Sequence, residues 1–187
     1  MKKKLKSSKD KEILFILFRY LTLLLIVLIS PVLIFFVLKP LTINFTVFIL
    51  DIIYDIFVNN SLIIIDSKTY ISIVSACVAG SAYILLTILN LTTPMKKDVR
   101  IKSILLSFIL LFVLNILRII TLSVLYHENF KYIEFTHAFF WYGLSTIFVV
   151  IIWVLTFKKF KINNIPVYTD LLTISKTSFL ENRIKLL

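Results

Sequence analysis

The sequence predicts an all-α integral membrane protein with four transmembrane helices, an outer-face amphipathic helix and a short β-hairpin. Three observations carry that expectation. The 187-residue chain is 59% hydrophobic with a mean hydropathy of +0.98, well above the roughly 45–50% apolar content of soluble domains. Several apolar runs approach or exceed the ~18–20 residues that cross a bilayer core as helix, with only two Gly and four Pro to interrupt them. The cations, which bring the formal charge to +11, fall mostly between those runs. They therefore report topology, not a nucleic-acid footprint.

Residues 1–12 form a basic, polar segment that a cytoplasmic N-terminus would carry. The apolar run 13–38 follows, broken only by Arg19 and Pro31. It is too long for a secretory signal and lacks a small-residue cleavage site, so it reads as a retained first span. Lys39-Pro40 is expected to end it, since proline donates no backbone hydrogen bond and biases its predecessor away from helix. Residues 41–58 are apolar but carry Asp51 and Asp55 one turn apart, which makes them a poor spanner and suggests a helix lying in the outer interface. Leu62–Ile65, the polar turn Asp66-Ser67-Lys68 and Thr69–Val74 read as a hairpin. Three further spans are expected at 75–91, 103–126 and 133–157, making 13–157 one membrane-embedded domain, with 158–187 a polar cytoplasmic tail.

Orientation follows from the basic flanks, because Lys and Arg beside spans stay in the cytoplasm. The N-terminal lysines, the group Lys96, Lys97, Arg100 and Lys102, and the group Lys158, Lys159 and Lys161 would all be inside. That requires an even number of crossings before residue 92, which 13–38 and 75–91 supply, and leaves 41–58 outside. The result is a multi-pass plasma-membrane protein with both ends cytoplasmic.

This topology brings three unusual residues to the outer face. Cys77 opens one inward-running helix and His137 lies near the start of another. Arg118 lies eight residues before Tyr126 on the outward-running helix, about 12 Å below its end. An arginine inside a span costs ~2.5 kcal/mol or more and so marks a functional or tightly paired position. Asn115 shares its face and can orient it. An unpaired cysteine ordinarily behaves as a small hydrophobe, and a thiolate nucleophile needs a cation or base beside it; Arg118 and His137 can supply both. His127, beside Glu128, reads as solvated surface. Two histidines and one cysteine furnish no closed metal-ligand set, and two glycines exclude a phosphate-cradling loop.

The run Ser75-Ala-Cys77-Val-Ala-Gly80-Ser81-Ala-Tyr83, then Asn115-Ile-Leu-Arg118, then His137-Ala-Phe-Phe-Trp-Tyr142 resembles the exosortase/archaeosortase family in its short archaeal members, over about residues 60–155. The resemblance rests on the ordered trio of Cys77, Arg118 and His137. Family members commonly carry Gly two residues after the Cys, where this chain has Ala79. The resemblance implies a cysteine transpeptidase or protease with Cys77, Arg118 and His137 catalytic and Asn115, Gly80, Ser81 and Tyr83 supporting. Its partners would be membrane proteins with a C-terminal sorting signal, made of a short motif, a transmembrane helix and a basic tail, together with a lipid acceptor for the new C-terminus and the bilayer itself. No cofactor, metal or nucleic acid is implied. Two other readings use the same residues differently. In one the chain is a non-catalytic membrane scaffold or accessory subunit, with Arg118 paired structurally and Cys77 merely packed. In the other it is an aspartyl protease built on Asp51 and Asp55, which requires 41–58 to span.

Overall fold

A computed structural model describes residues 2–162; residues 163–187 of the expected tail, and the side chains of Arg19 and Pro31, lie outside what it describes. The element order is α1 (Lys2–Leu50), β1 (Ile56–Asn59), β2 (Leu62–Ile65), β3 (Thr69–Ser72), a 3₁₀ turn (Ser75–Val78), α2 (Gly80–Thr92), α3 (Lys97–His127), α4 (Ile133–Ala138), a π-helical turn (Phe139–Leu144) and α5 (Ser145–Lys159). Three helical stretches among the described residues are long and apolar enough to cross a membrane: Ser75–Thr92, Lys97–His127 and Ile133–Lys159. Within α1 there are two shorter apolar windows, Tyr20–Ile29 and Phe35–Leu50.

Two expectations are corrected at α1. The helix does not end at Lys39-Pro40 but continues to Leu50, 49 residues in all, or about 73 Å. Nor do residues 41–58 form an in-plane helix. Thr42, Ile43, Thr46 and Leu50 recur at helical spacing and are buried, so this half of α1 packs into the bundle. Ile43 and Leu50 pack against the sheet and Ile119 of α3, and this tertiary packing carries the helix through Pro40 despite the ~3 kcal/mol that an internal proline costs. Asp51 falls in the turn after α1 and Asp55 just before β1, both exposed; they share no helix face, and the carboxylate-pair reading loses its geometry.

The expected hairpin is two strands of a three-stranded antiparallel sheet, order β1-β2-β3. Ile63 faces Ile71 and Ile65 faces Thr69 across β2–β3, while Phe57 faces Ile64 across β1–β2. Asp66 and Ser67 turn the chain at φ 49° and 55°, the left-handed region that Asp tolerates better than most residues. One face of the sheet buries Ile63, Ile65 and Ile73 against Ile43 and Leu50 of α1 and Ile119 of α3.

A polar latch ties the sheet to the end of α3. His127 Nε2 lies 3.2 Å from Asp66 Oδ2, its Nδ1 is 2.9 Å from Thr69 Oγ1, and the Tyr54 ring meets the imidazole edge-on at 4.8 Å. Partial burial, then the Glu128 carboxylate, pushes the Tyr54 hydroxyl above its ordinary pKa. His127 is therefore a tethered residue and not the solvated surface expected of it.

Away from the sheet, α2, α3 and α5 close around Tyr83, Leu86, Leu111, Val149 and Ile152. Small polar side chains bind the helices there. Ser103 donates to Asn90 Oδ1, and Ser107 and Thr156 hydroxyls meet at 3.3 Å. Such contacts let helices associate where water cannot drive them together. This end also carries the α2–α3 connection and the C-terminus of α5, hence both internal basic groups.

Candidate functional site

The approach to Cys77 is fixed by backbone. After β3 the chain makes the 3₁₀ turn Ser75–Val78, with Cys77 N–H donating to Val74 O at 2.9 Å. It then reverses through Ala79, at φ 58° and ψ 34°, into α2. Cys77 thus sits just ahead of α2 and not within its first turn. Asn115 of α3, 4% exposed, holds this turn from the other side, donating Nδ2 to Cys77 O at 2.9 Å. Since Asn115 is twelve residues before the end of α3, Cys77 is recessed about 18 Å along that helix from the sheet end.

Arg118, three residues further along α3 and 7% exposed, lines the same cavity as Cys77. Its Nη1 donates to Ser145 Oγ at 3.1 Å. Ser145 in turn donates to Phe140 O at 2.8 Å. The guanidinium carbon stands 5.8 Å from the Trp141 ring centroid, a cation–π distance. The π-helical turn makes this support possible: π-helical bonding runs i to i+5, and Ser145 is five residues after Phe140. Arg118 Nε and Asn115 Oδ1 are buried with no hydrogen-bond partner among the described residues.

One cavity of about 480 Å³ gathers the trio. Its walls are β3 and the residue after it (Tyr70–Ile73), a face of α3 (Arg118, Ile119, Leu122, Ser123, Tyr126), and α4 (Ile133, Glu134, His137), with Cys77 among the lining. His137 is exposed and lies beside Trp141, ring centroids 6.1 Å apart. No direct hydrogen bond joins Cys77, Arg118 and His137 among the described residues; catalytic contacts are often loose before substrate binds.

The other sequence-selected residues do not line the cavity. Gly80 opens α2, Ser81 is exposed, and Tyr83 is buried in the lower core, edge-on to Phe108 at 5.0 Å. Conversely, Ser145, Trp141 and Glu134 were not singled out by sequence reasoning. Their signal was faint but present: with His137 they sit at spacings of three, four and eight on one helix, a shared face.

Chemically, the arrangement offers a thiol, a buried cation and an imidazole around a mostly apolar space, the parts needed for acyl transfer. Residues 8–157 match the family model described as Transmembrane exosortase. Nothing matches among the curated proteins or among the solved structures.

Proposed function

Because this chain belongs to the transmembrane exosortase family, we propose that it is a cysteine transpeptidase that cleaves C-terminal sorting signals and transfers the new C-terminus to a lipid-type acceptor. What supports this reading is the one cavity lined by Cys77, Arg118 and His137 together.

In the proposed reaction Cys77 Sγ attacks the scissile carbonyl carbon while His137 takes the thiol proton. Arg118, steadied by Ser145 and Trp141, stabilises the negative charge that develops on sulfur or on the carbonyl oxygen. The C–N bond breaks, His137 returns the proton to the leaving amine, and a thioester remains. An amine or hydroxyl of the acceptor then attacks the thioester and restores the thiol. The mostly apolar lining of the cavity limits water around the thioester and so favours transfer over hydrolysis.

The membrane positions the substrate in this scheme. In the proposed orientation, supported by the basic groups of the α2–α3 connection and of the α5 terminus, that end is cytoplasmic and the sheet end with its cavity is outside. A basic N-terminus inside then makes α1 the fourth crossing. A substrate helix inserted alongside stops on its own basic tail and presents its short motif at the height of the sheet.

The test is a reporter fused to the C-terminal segment of a host membrane protein that carries motif, apolar helix and basic tail, its C-terminus read by mass spectrometry. Cys77→Ala is expected to insert normally and leave the reporter uncleaved. A scaffold or accessory subunit predicts the opposite, cleavage undiminished in Cys77→Ala.

A further inference from the structure

The cavity wall contains four consecutive residues of one extended segment, Tyr70, Ile71, Ser72 and Ile73. A cavity lying over a sheet face would meet only alternate residues, because neighbouring side chains point to opposite faces. Meeting all four means that it runs along the strand's edge. That edge is open: β3 pairs with β2 and is the last strand of the sheet.

The register fixes which groups the edge presents. Ile73 N–H donates to Ser61 O at 2.9 Å, toward β2. Alternation along an antiparallel pair then turns the Ile71 backbone groups toward β2 as well, opposite Ile63. The N–H and C=O of Tyr70 and Ser72 point the other way, into the cavity. The His127 latch to Asp66 and Thr69 holds the start of this strand against α3. The same cavity reaches Cys77.

We infer that the β3 edge docks an extended polypeptide segment, which adds as a fourth antiparallel or parallel strand and so delivers its carbonyl to Cys77. Open strand edges are templates for exactly this kind of partner, with main-chain bonds giving affinity and side-chain pockets selectivity. A lipid chain would leave the Tyr70 and Ser72 backbone groups unpaired. A second copy of this chain would have to bring a whole sheet into a trough of about 480 Å³ bounded by α3 and α4, which accommodates one strand. The inference rests on the proposed processing of a polypeptide at Cys77 and specifies how that polypeptide is held.

Proline separates edge from side chain, since it removes an outward N–H while leaving the inward ladder intact. In the full-length protein with the same reporter, Ser72→Pro is expected to slow processing roughly fivefold or more relative to Ser72→Ala. Val58→Pro, on the opposite edge strand β1, is expected to leave it unchanged. Equal rates for Ser72→Pro and Ser72→Ala would overturn the inference, as would loss of self-association in place of loss of processing. Should Ser72→Pro not fold, the other strand answers: a synthetic peptide of the reporter's motif competes with processing, and methylating its backbone nitrogens singly weakens competition at alternate positions only. Uniform or absent sensitivity would again overturn it. Processing by Cys77→Ala would instead sink the proposed function, so the two failures are distinct.

Discussion

Ala79 holds φ 58° and ψ 34°, a left-handed conformation, between the turn bearing Cys77 and the start of α2. For a residue with a Cβ this costs roughly 1–2 kcal/mol, a strain that glycine does not carry. Ala79→Gly is expected to stabilise the protein by about 1 kcal/mol or less, the relief being partly offset by the freer unfolded chain. Ala79→Val should destabilise it by more than 1 kcal/mol, because a β-branched side chain suits this region worst. Thermal unfolding in detergent checks both signs. Arg118 stood out in the sequence because a cation is chemically out of place in an apolar span, and Cys77 and His137 became candidates through their order with it. Ser145 and Trp141 were not: a serine and a tryptophan in a membrane helix are commonplace until a buried arginine is seen to rest on them.

At the scale of elements, the π-helical turn Phe139–Leu144 carries the most consequence. It sets Ser145 where one hydroxyl accepts from Arg118 Nη1 and donates to Phe140 O. Ser145 is thus a positioning residue. A hydrogen bond to a charged group contributes ~1.5–3 kcal/mol, so Ser145→Ala should lower the rate of the chemical step about 10- to 100-fold with little change in KM. Ser145→Thr, which keeps the hydroxyl, should recover most of it; a purely structural role would give no such rescue. Sequence periodicity could not reveal a π turn inside an unbroken apolar run. It also misplaced the end of α1. Proline and the Asp51–Asp55 spacing argued locally for a break and an in-plane helix, whereas the buried stripe Thr42, Ile43, Thr46 and Leu50 decides the matter through tertiary packing. The third strand was hidden for a related reason: Ile56-Phe57-Val58 has strand character but ran on from apolar residues read as helix.

For the whole molecule, hydropathy made the membrane class plain, and three helical stretches long enough to cross appear where apolar runs stood in the sequence. Charge placement supplied the proposed orientation, since both internal basic groups lie at the end away from the sheet. The enclosure of the cavity was less legible. The sheet, the upper part of α3 and α4 extend beyond the turn that bears Cys77 and wall the space in front of it, an arrangement that depends on how elements stack and not on any local pattern. In the proposed reaction Cys77 carries the acyl group between cleavage and transfer. Intact-mass measurement of the protein, acid-quenched during turnover of the reporter, tests it most directly. A hydroxylamine-labile thioester on Cys77, its mass matching the reporter's N-terminal product, is the predicted result. Turnover with Cys77 free at every time point, and with Cys77→Ala equally active, would contradict it.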